Sequence, residues 1–186
     1  SPLRKKISVF QKMKPVYIVA ATRTPIGSFG GVFNSLSATS LGTHSIIASL
    51  NKAGINPAAI EEVIYGNVCQ ANLGQAPARQ AALGAGLANE VVTSTINKVC
   101  ASGMKAVALG SQAIELDQNS LIVTGGMESM SNIPYYLPNM RWGNKYGNVQ
   151  ALDGLAKDGL TDVYTQQAMG VFADATAGEL GISREA

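Results

Sequence analysis

The chain has 186 residues, 46% of them hydrophobic and 14% charged. This apolar, weakly charged composition excludes a disordered chain, a coiled coil and a nucleic-acid-binding tail, and it favours buried interfaces in an oligomer. Residues 1–14 carry five of the fourteen Lys and Arg residues and no acid, so the remainder has nine basic against twelve acidic residues, a net charge of −3, and offers nucleic acid no basic surface.

The basic N-terminal segment is predicted to lie outside the folded domain. We interpret residues 1–14 as an upstream extension or a cloning remnant, with the stub of a transit peptide in residues 1–12 as the alternative. No stretch approaches the ~18 apolar residues of a membrane helix. Cys69 and Cys100 form no CxxC pair, which fits free thiols in a reducing compartment. We therefore expect a cytoplasmic protein, or a mitochondrial matrix protein if the segment is a transit peptide.

From residue 16 onward, short apolar runs alternate with helical patterns. Gly54 suits the position after the end of the first helix, and Asn56-Pro57 is an N-cap followed by Pro at N1. Strands that alternate with helices predict an α/β fold with a largely parallel sheet covered on both faces. The predicted strands are residues 16–21, 63–68, 91–99 and 121–126, and the predicted helices and turns are residues 39–53, 57–62, 77–83 and 101–116.

Beyond the fourth predicted strand the pattern changes. Residues 127–148 are rich in aromatic residues, which predicts an irregular excursion from the sheet, and residues 164–180 predict a further helix. The aromatic stretch 135–146 is more typical of packing or of an oligomer contact than of a nucleotide-stacking surface. The i,i+4 spacing of Asp158 and Asp162 suits a helix N-terminus better than a metal site.

Cys100 is the strongest candidate for a catalytic side chain. It lies where a predicted strand meets a predicted helix, so the unpaired N–H groups and the positive dipole end of the helix favour a thiolate there. Small side chains at residues 101–103 allow a substrate to approach. The competing interpretation is a buried structural cysteine.

The other reactive side chains have plainer settings. Cys69 follows a strand and is interpreted as a buried or loop thiol. His44, the one histidine, lies inside the first helix and is interpreted as a hydrogen-bonded helix residue. A single histidine argues against a Cys/His zinc site.

The segment around Cys100, residues 97–106 with the sequence NKVCASGMKA, resembles the active-site signature of the thiolases. Further segments resemble motifs of that family in the same order along the chain. They are residues 20–30, 75–81, 125–131, 157–164 and 169–170. The resemblance implies a thiolase-like fold, a layered α-β-α core, with the N-terminal core domain in residues 15–127 and the start of the loop domain in residues 128–186. The loop-domain match favours the short-chain branch of the family.

The resemblance also implies an activity and its residues. Thiolases condense two acetyl-CoA molecules to acetoacetyl-CoA and free CoA, or run the reverse cleavage, through an acetyl-cysteine intermediate. Cys100 matches that nucleophile, and Leu160 and Met169 match positions lining the pocket for the pantetheine arm of CoA. No metal or cofactor is implied, because the CoA thioester is the substrate. The implied partners are acetyl-CoA, acetoacetyl-CoA and further copies of the chain in a homodimer or homotetramer, with neither nucleic acid nor membrane.

Two departures from the family pattern qualify these expectations. The family's activating histidine and second cysteine lie in its C-terminal half, and neither His44 nor Cys69 matches their contexts. The chain is predicted to end inside the loop domain, to need that C-terminal half and to be inactive alone. Ala168 stands where many members have a histidine, which leaves the acyl-chain preference open.

Two alternatives remain at this stage. One is a thiolase-like condensing enzyme of different acyl specificity, such as a ketoacyl synthase or a hydroxymethylglutaryl-CoA synthase; the sequence around Cys100 and the CoA-type loop insertion speak against it. The other is a non-catalytic truncated chain that serves as an interaction or structural piece, which the missing half supports for the chain in isolation.

Overall fold

The computed structural model describes residues 14–185. Apart from Lys14, the predicted N-terminal extension lies outside the described residues. No helix among the described residues is both long enough and apolar enough to cross a membrane.

The core of the molecule is a three-stranded parallel sheet. Its strands are β1 (Glu62–Gly66), β2 (Val92–Ile96) and β3 (Ile122–Gly126), in the order β2-β1-β3. Glu62 pairs with Val92 on one side and with Ile122 on the other. Because β1 has a neighbour on both edges, it is buried from Val63 to Gly66. The α/β class and the parallel sheet are confirmed.

Helices cover both faces of this sheet. Helices α1 (Ala38–Ala53) and α2 (Pro77–Gly84) cover one face, where the hydroxyl of Tyr65 lies 2.8 Å from Ser45 Oγ. Helix α3 (Ser102–Glu115) covers the other, and its Gly110 packs directly on Thr124 of β3. Side chains alternate between the faces of a strand, so β1 contributes to both layers. The predicted α-β-α arrangement is therefore confirmed.

The ends of α1 follow the sequence signals. Ser37 accepts a hydrogen bond from the N–H of Ser40 at 3.1 Å, which caps the first turn. Gly54 has φ of 64° and ends the helix in the left-handed conformation. The Asn56-Pro57 signal also holds, since a single 3₁₀ turn spans Pro57–Ala59 with Asn56 as its N-cap.

The predicted strand at residues 16–21 is wrong for the described chain. The segment is extended but pairs with no other strand among residues 14–185, and Tyr17, Ile18 and Val19 are 76%, 79% and 64% exposed. A hydrogen bond just after the segment joins it to α1: Thr22 Oγ1 donates to the carbonyl of Ser45 at 3.0 Å. An apolar run becomes a strand only when a neighbouring backbone takes up its N–H and C=O groups.

The third predicted strand is shorter than expected. The ladder of β2 ends at Ile96, and residues 97–99 turn away because Asn97 Oδ1 accepts the N–H of Val99 at 2.8 Å. Such a side-chain-to-backbone bond offers the chain an alternative to the sheet ladder.

The irregular excursion after β3 is confirmed. It contains two 3₁₀ turns and a two-residue antiparallel ladder between β4 (Tyr135–Tyr136) and β5 (Leu152–Asp153). A π-helical turn follows at Ala156–Leu160, and helix α4 spans Met169–Leu180. The last helix begins five residues later than predicted, because residues 162–165 form a turn of their own.

Candidate active site

Cys100 lies in the tight turn between β2 and α3. The buried Ser102 stabilises this turn with two hydrogen bonds. Its Oγ accepts from the N–H of Lys98 at 2.8 Å and donates to the carbonyl of Val99 at 2.6 Å. Val99 has φ of 50°, a left-handed conformation that costs a β-branched residue energy. The strained turn presents the Cys100 thiol to solvent.

Glycines place this turn against the sheet. A methyl group at Gly66 would lie 2.6 Å from the carbonyl carbon and Cβ of Ser102, and one at Gly126 would lie 3.4 Å from the Cα of Gly103. Glycine is required at Gly66, the end of β1, for the first turn of α3 to approach so closely, whereas a methyl group at Gly126 would make an ordinary contact. Cys100 is thereby held at the carboxyl edge of the parallel sheet, where α/β proteins place their sites.

The start of α3 has no side-chain cap. Ala101 occupies the N-cap and makes no side-chain cap hydrogen bond, whereas the N–H of Ser102 donates to the carbonyl of Val99 at 3.0 Å. The positive end of the helix dipole favours a negative charge near Cys100.

A cavity of about 320 Å³ adjoins Cys100. The ends of β1 and β3 form part of its lining, and the π-helical turn contributes Gly159 and Leu160. Leu160 is thus brought to the same cavity as Cys100, as the family resemblance implies for a pocket residue. Met169, the first residue of α4, does not line this cavity.

Asn67 and Glu128 form a polar pair at the same cavity that the sequence analysis missed. The Nδ2 of Asn67 donates to Glu128 Oε1 at 3.0 Å, and the N–H of Val68 donates to Oε2 at 2.9 Å. Burial raises the pKa of Glu128, although the hydrogen bonds from Val68, Cys69 and Asn67 act in the opposite direction. An acid placed two residues after the end of a predicted strand is the signal that could have revealed it.

Cys69 lies in the cavity that Cys100 also lines. It is buried, as the sequence analysis expects for a plain thiol, but its proximity to Cys100 was not predicted. Burial, and then the negative charges of Glu128 and Asp158, raise the pKa of Cys69 to about 11. The two thiols of this site are therefore unlike: one is exposed and the other is buried and protonated at neutral pH.

The remaining candidates lie elsewhere or act differently. His44 bonds through Nδ1 to the carbonyl of Ser40 at 2.7 Å, within α1 and away from the cavity. The predicted placement at a helix N-terminus is confirmed for Asp158, which lies in the first turn of the π-helix, and is wrong for Asp162, which caps a separate turn by accepting from Thr165.

Two further expectations concern surfaces and metals. The aromatic residues of the excursion are largely exposed, so packing within the described chain does not account for them; Trp142 and Tyr146 are 83% and 97% exposed. Among residues 14–185, no three His, Cys, Asp or Glu side chains gather as metal ligands.

The fold and the site together define a layered α-β-α domain whose exposed thiol is placed for nucleophilic chemistry. Comparisons with known proteins are consistent with this class. Residues 16–186 match the family described as thiolase, N-terminal domain. The chain belongs to the thiolase family.

Curated and solved relatives cover nearly the whole chain. It is 52% identical over 172 residues to an acetyl-CoA acetyltransferase of Candida albicans, a match that covers 92% of this chain and 43% of the relative. It is 50% identical over 174 residues to a cytosolic acetyl-CoA acetyltransferase of Gibberella zeae, with 94% and 44% covered. A crystal structure of a thiolase from Ascaris suum in complex with coenzyme A matches with a TM-score of 0.86 and 42% identity, covering 92% of this chain and 44% of that one. The chain thus spans less than half the length of these relatives.

Proposed function

We propose that the protein is an acyltransferase that condenses two acetyl-CoA molecules to acetoacetyl-CoA and CoA, or runs the reverse thiolysis, with Cys100 as the acyl carrier. The observation that carries this proposal is the exposed Cys100 thiol, held in a strained strand-to-helix turn beside an apolar cavity of about 320 Å³. The names of the two curated relatives support the choice of acetyl-CoA.

In the first step, the Cys100 thiolate attacks the carbonyl carbon of acetyl-CoA. The base that took the proton from Cys100 gives it to CoA as the bond between that carbon and the CoA sulfur breaks, so the acetyl group remains on Cys100 as a thioester. A second base takes a proton from the methyl carbon of the second acetyl-CoA, and that carbon attacks the thioester. The bond between the acetyl carbon and Cys100 Sγ then breaks, and Cys100 takes up the proton. The activating histidine and second cysteine that the family uses have no counterpart in the described residues, and we assign them to the C-terminal half of the complete protein.

The substrate pocket is proposed to include Leu160 and Met169. Leu160 lies at the cavity and Met169 begins the neighbouring helix α4. Ala168 is the N-cap residue of that helix and has no polar side chain to offer a substrate, which favours an acyl preference shifted from that of relatives with a histidine there. The substrate thioester requires no further cofactor in this scheme.

The cellular setting belongs to the same proposal. We expect a homodimer or homotetramer in the cytosol, since one of the relatives is described as cytosolic. The exposed aromatic side chains Trp142 and Tyr146 suit a contact between copies.

The test is acetyl transfer to the complete protein. Incubation with acetyl-CoA should add one acetyl group to the peptide that contains Cys100, as seen by mass spectrometry. Cys100→Ala should abolish the adduct and the turnover of acetoacetyl-CoA, whereas Cys69→Ser should retain the adduct. Acetylation that persists on another residue in Cys100→Ala would contradict the assignment.

A further inference from the structure

One wall of the cavity is a short segment that makes few side-chain hydrogen bonds to the rest of the described chain. Leu155, Gly159 and Leu160 all line the cavity and lie within or beside the π-helical turn Ala156–Leu160. This turn has no side-chain cap, and its N-terminal approach is fixed by Asp153 Oδ1, which accepts the N–H of Leu155 at 2.9 Å. We call these residues, 155–160, the cavity wall.

Tyr136 of β4 reaches this wall from the excursion. Its hydroxyl donates to Asp158 Oδ2 at 2.6 Å. Within residues 14–185, this is the one side-chain hydrogen bond that joins residues 156–160 to another part of the chain. The ring reaches Asp158 by lying over Gly154, where a methyl group would come within 2.8 Å of the ring and 2.9 Å of its hydroxyl.

We propose that Tyr136 is a positioning residue: through Asp158 it holds the cavity wall in the place where Leu155, Gly159 and Leu160 complete the substrate cavity beside Cys100. π-Helical turns are rare and are often found at functional sites. Because this turn has no side-chain cap, a charge-assisted hydrogen bond from outside it adds to its stability. Where substrate is concerned, this inference rests on the proposed function.

The protonation state of the Tyr136 hydroxyl suits such a role at neutral and mildly alkaline pH. Its hydrogen bond to Asp158, together with partial burial and the charge of Asp158, raises the pKa of Tyr136 to about 12. The hydroxyl therefore keeps its proton, and the hydrogen bond survives throughout the neutral and mildly alkaline range.

The wall also covers Cys69, which gives an independent measure of its position. A methyl group at Gly159 would lie 3.4 Å from Cys69 Sγ, so the wall is in near contact with the buried thiol. If the wall loosens, Cys69 becomes accessible to an alkylating reagent without any need for substrate.

The experiment compares Tyr136→Phe with Tyr135→Phe in the complete protein. Tyr135 is the adjacent residue on β4, is 66% exposed, and makes no side-chain hydrogen bond within the described residues. Loss of a hydrogen bond to a charged group should shift the equilibrium towards a loosened cavity wall. Tyr136→Phe should therefore raise the rate of Cys69 alkylation about three- to tenfold and leave the rate at Cys100 within about twofold, while Tyr135→Phe changes neither rate.

The same variants separate positioning from chemistry. Tyr136→Phe should raise KM for acetoacetyl-CoA by about three- to tenfold with a change in kcat of less than about twofold. Asp158→Ala also removes a negative charge that raises the pKa of Cys69, so its alkylation rate is divided by the Cys69 thiolate fraction taken from a pH profile. The corrected rate should show the same increase as Tyr136→Phe, and the double variant should add nothing further, because both changes remove one hydrogen bond. Asp158→Ala also serves if Tyr136→Phe does not fold.

An unchanged rate of Cys69 alkylation in folded Tyr136→Phe overturns the inference, as does an unchanged thiolate-corrected rate in Asp158→Ala or full additivity of the corrected rates in the double variant. Absence of acetoacetyl-CoA turnover in the unsubstituted protein would contradict the proposed function alone, because the alkylation comparison needs no substrate.

Discussion

Asn67 and Glu128 hydrogen-bond across the ends of two neighbouring strands, with 3.0 Å between Asn67 Nδ2 and Glu128 Oε1. Asn67 is fully buried and also donates to the carbonyl of Met127 at 3.1 Å. Both acceptors require the amide nitrogen at that position, so the orientation of the Asn67 side chain is fixed and its Oδ1 finds no hydrogen-bond partner among residues 14–185. This pair ties β1 to β3 at the edge where Cys100 lies.

Replacement of Glu128 by Gln should alter the pH dependence of stability. Burial raises the pKa of Glu128 above its usual 4.5, so its contribution to the free energy of unfolding is present below that pH and is lost as pH rises through the raised pKa. Gln resembles the protonated acid and does not ionise. Relative to Glu128→Gln, the unsubstituted protein should therefore lose thermal stability as pH rises above the usual carboxyl pKa of 4.5.

The measurement is the Tm of both proteins by differential scanning calorimetry at several pH values. A gain in the relative stability of the unsubstituted protein with rising pH would mean that the hydrogen bonds to the carboxylate outweigh its burial.

Gly66→Ala should destabilise the junction between the sheet and α3. The added methyl group would lie 2.6 Å from backbone and side-chain atoms of Ser102, and the packed helix start leaves it no room. We expect a loss of about 1–3 kcal/mol in the free energy of unfolding, measured by urea denaturation. Gly178→Ala is the matched control: Gly178 lies in α4 with no atom near its side, so alanine there should be neutral or stabilising by up to about 1 kcal/mol. Equal effects at the two positions would contradict the close packing at Gly66.

Ser102→Ala should loosen the turn that presents Cys100. The change removes the acceptor for the N–H of Lys98 and the donor to the carbonyl of Val99. Because Ser102 is buried and the N–H of Lys98 loses its acceptor, we expect a cost of about 1–3 kcal/mol in thermal unfolding, although the carbonyl of Val99 keeps its bond from the Ser102 N–H. Ser111→Ala, which removes a hydrogen bond to Glu115 within the same helix, should cost less than about 1 kcal/mol.

Limited alkylation should modify Cys100 before Cys69. Cys100 is exposed, whereas Cys69 is buried with a pKa of about 11, so only about one thousandth of Cys69 is thiolate at pH 8. The measurement is peptide mass spectrometry after a short iodoacetamide treatment of the folded protein. Labelling of Cys69 should grow as pH rises toward 11, and equal labelling of both cysteines at pH 7 would contradict the difference in their environments.

Local sequence signals determined much of the fold. The Ser37 cap and Gly54 set the ends of α1, and alternating apolar runs and helical patterns identified the parallel sheet. The position of Cys100 between a strand and a helix was also predictable. These features depend on residues a few positions apart, whose backbone preferences act within a single element.

Only the tertiary structure decided which side chains meet at the cavity. Asn67 and Glu128 are 61 residues apart, and Tyr136 and Asp158 are 22 residues apart, so no local periodicity links them. The apolar residues 16–21 show the same limit, because their composition fits a strand but strand formation depends on a neighbouring backbone that pairs with them. Hydrophobic pattern fixes which face of an element is buried, whereas the partner on that face is set by the packing of the whole chain.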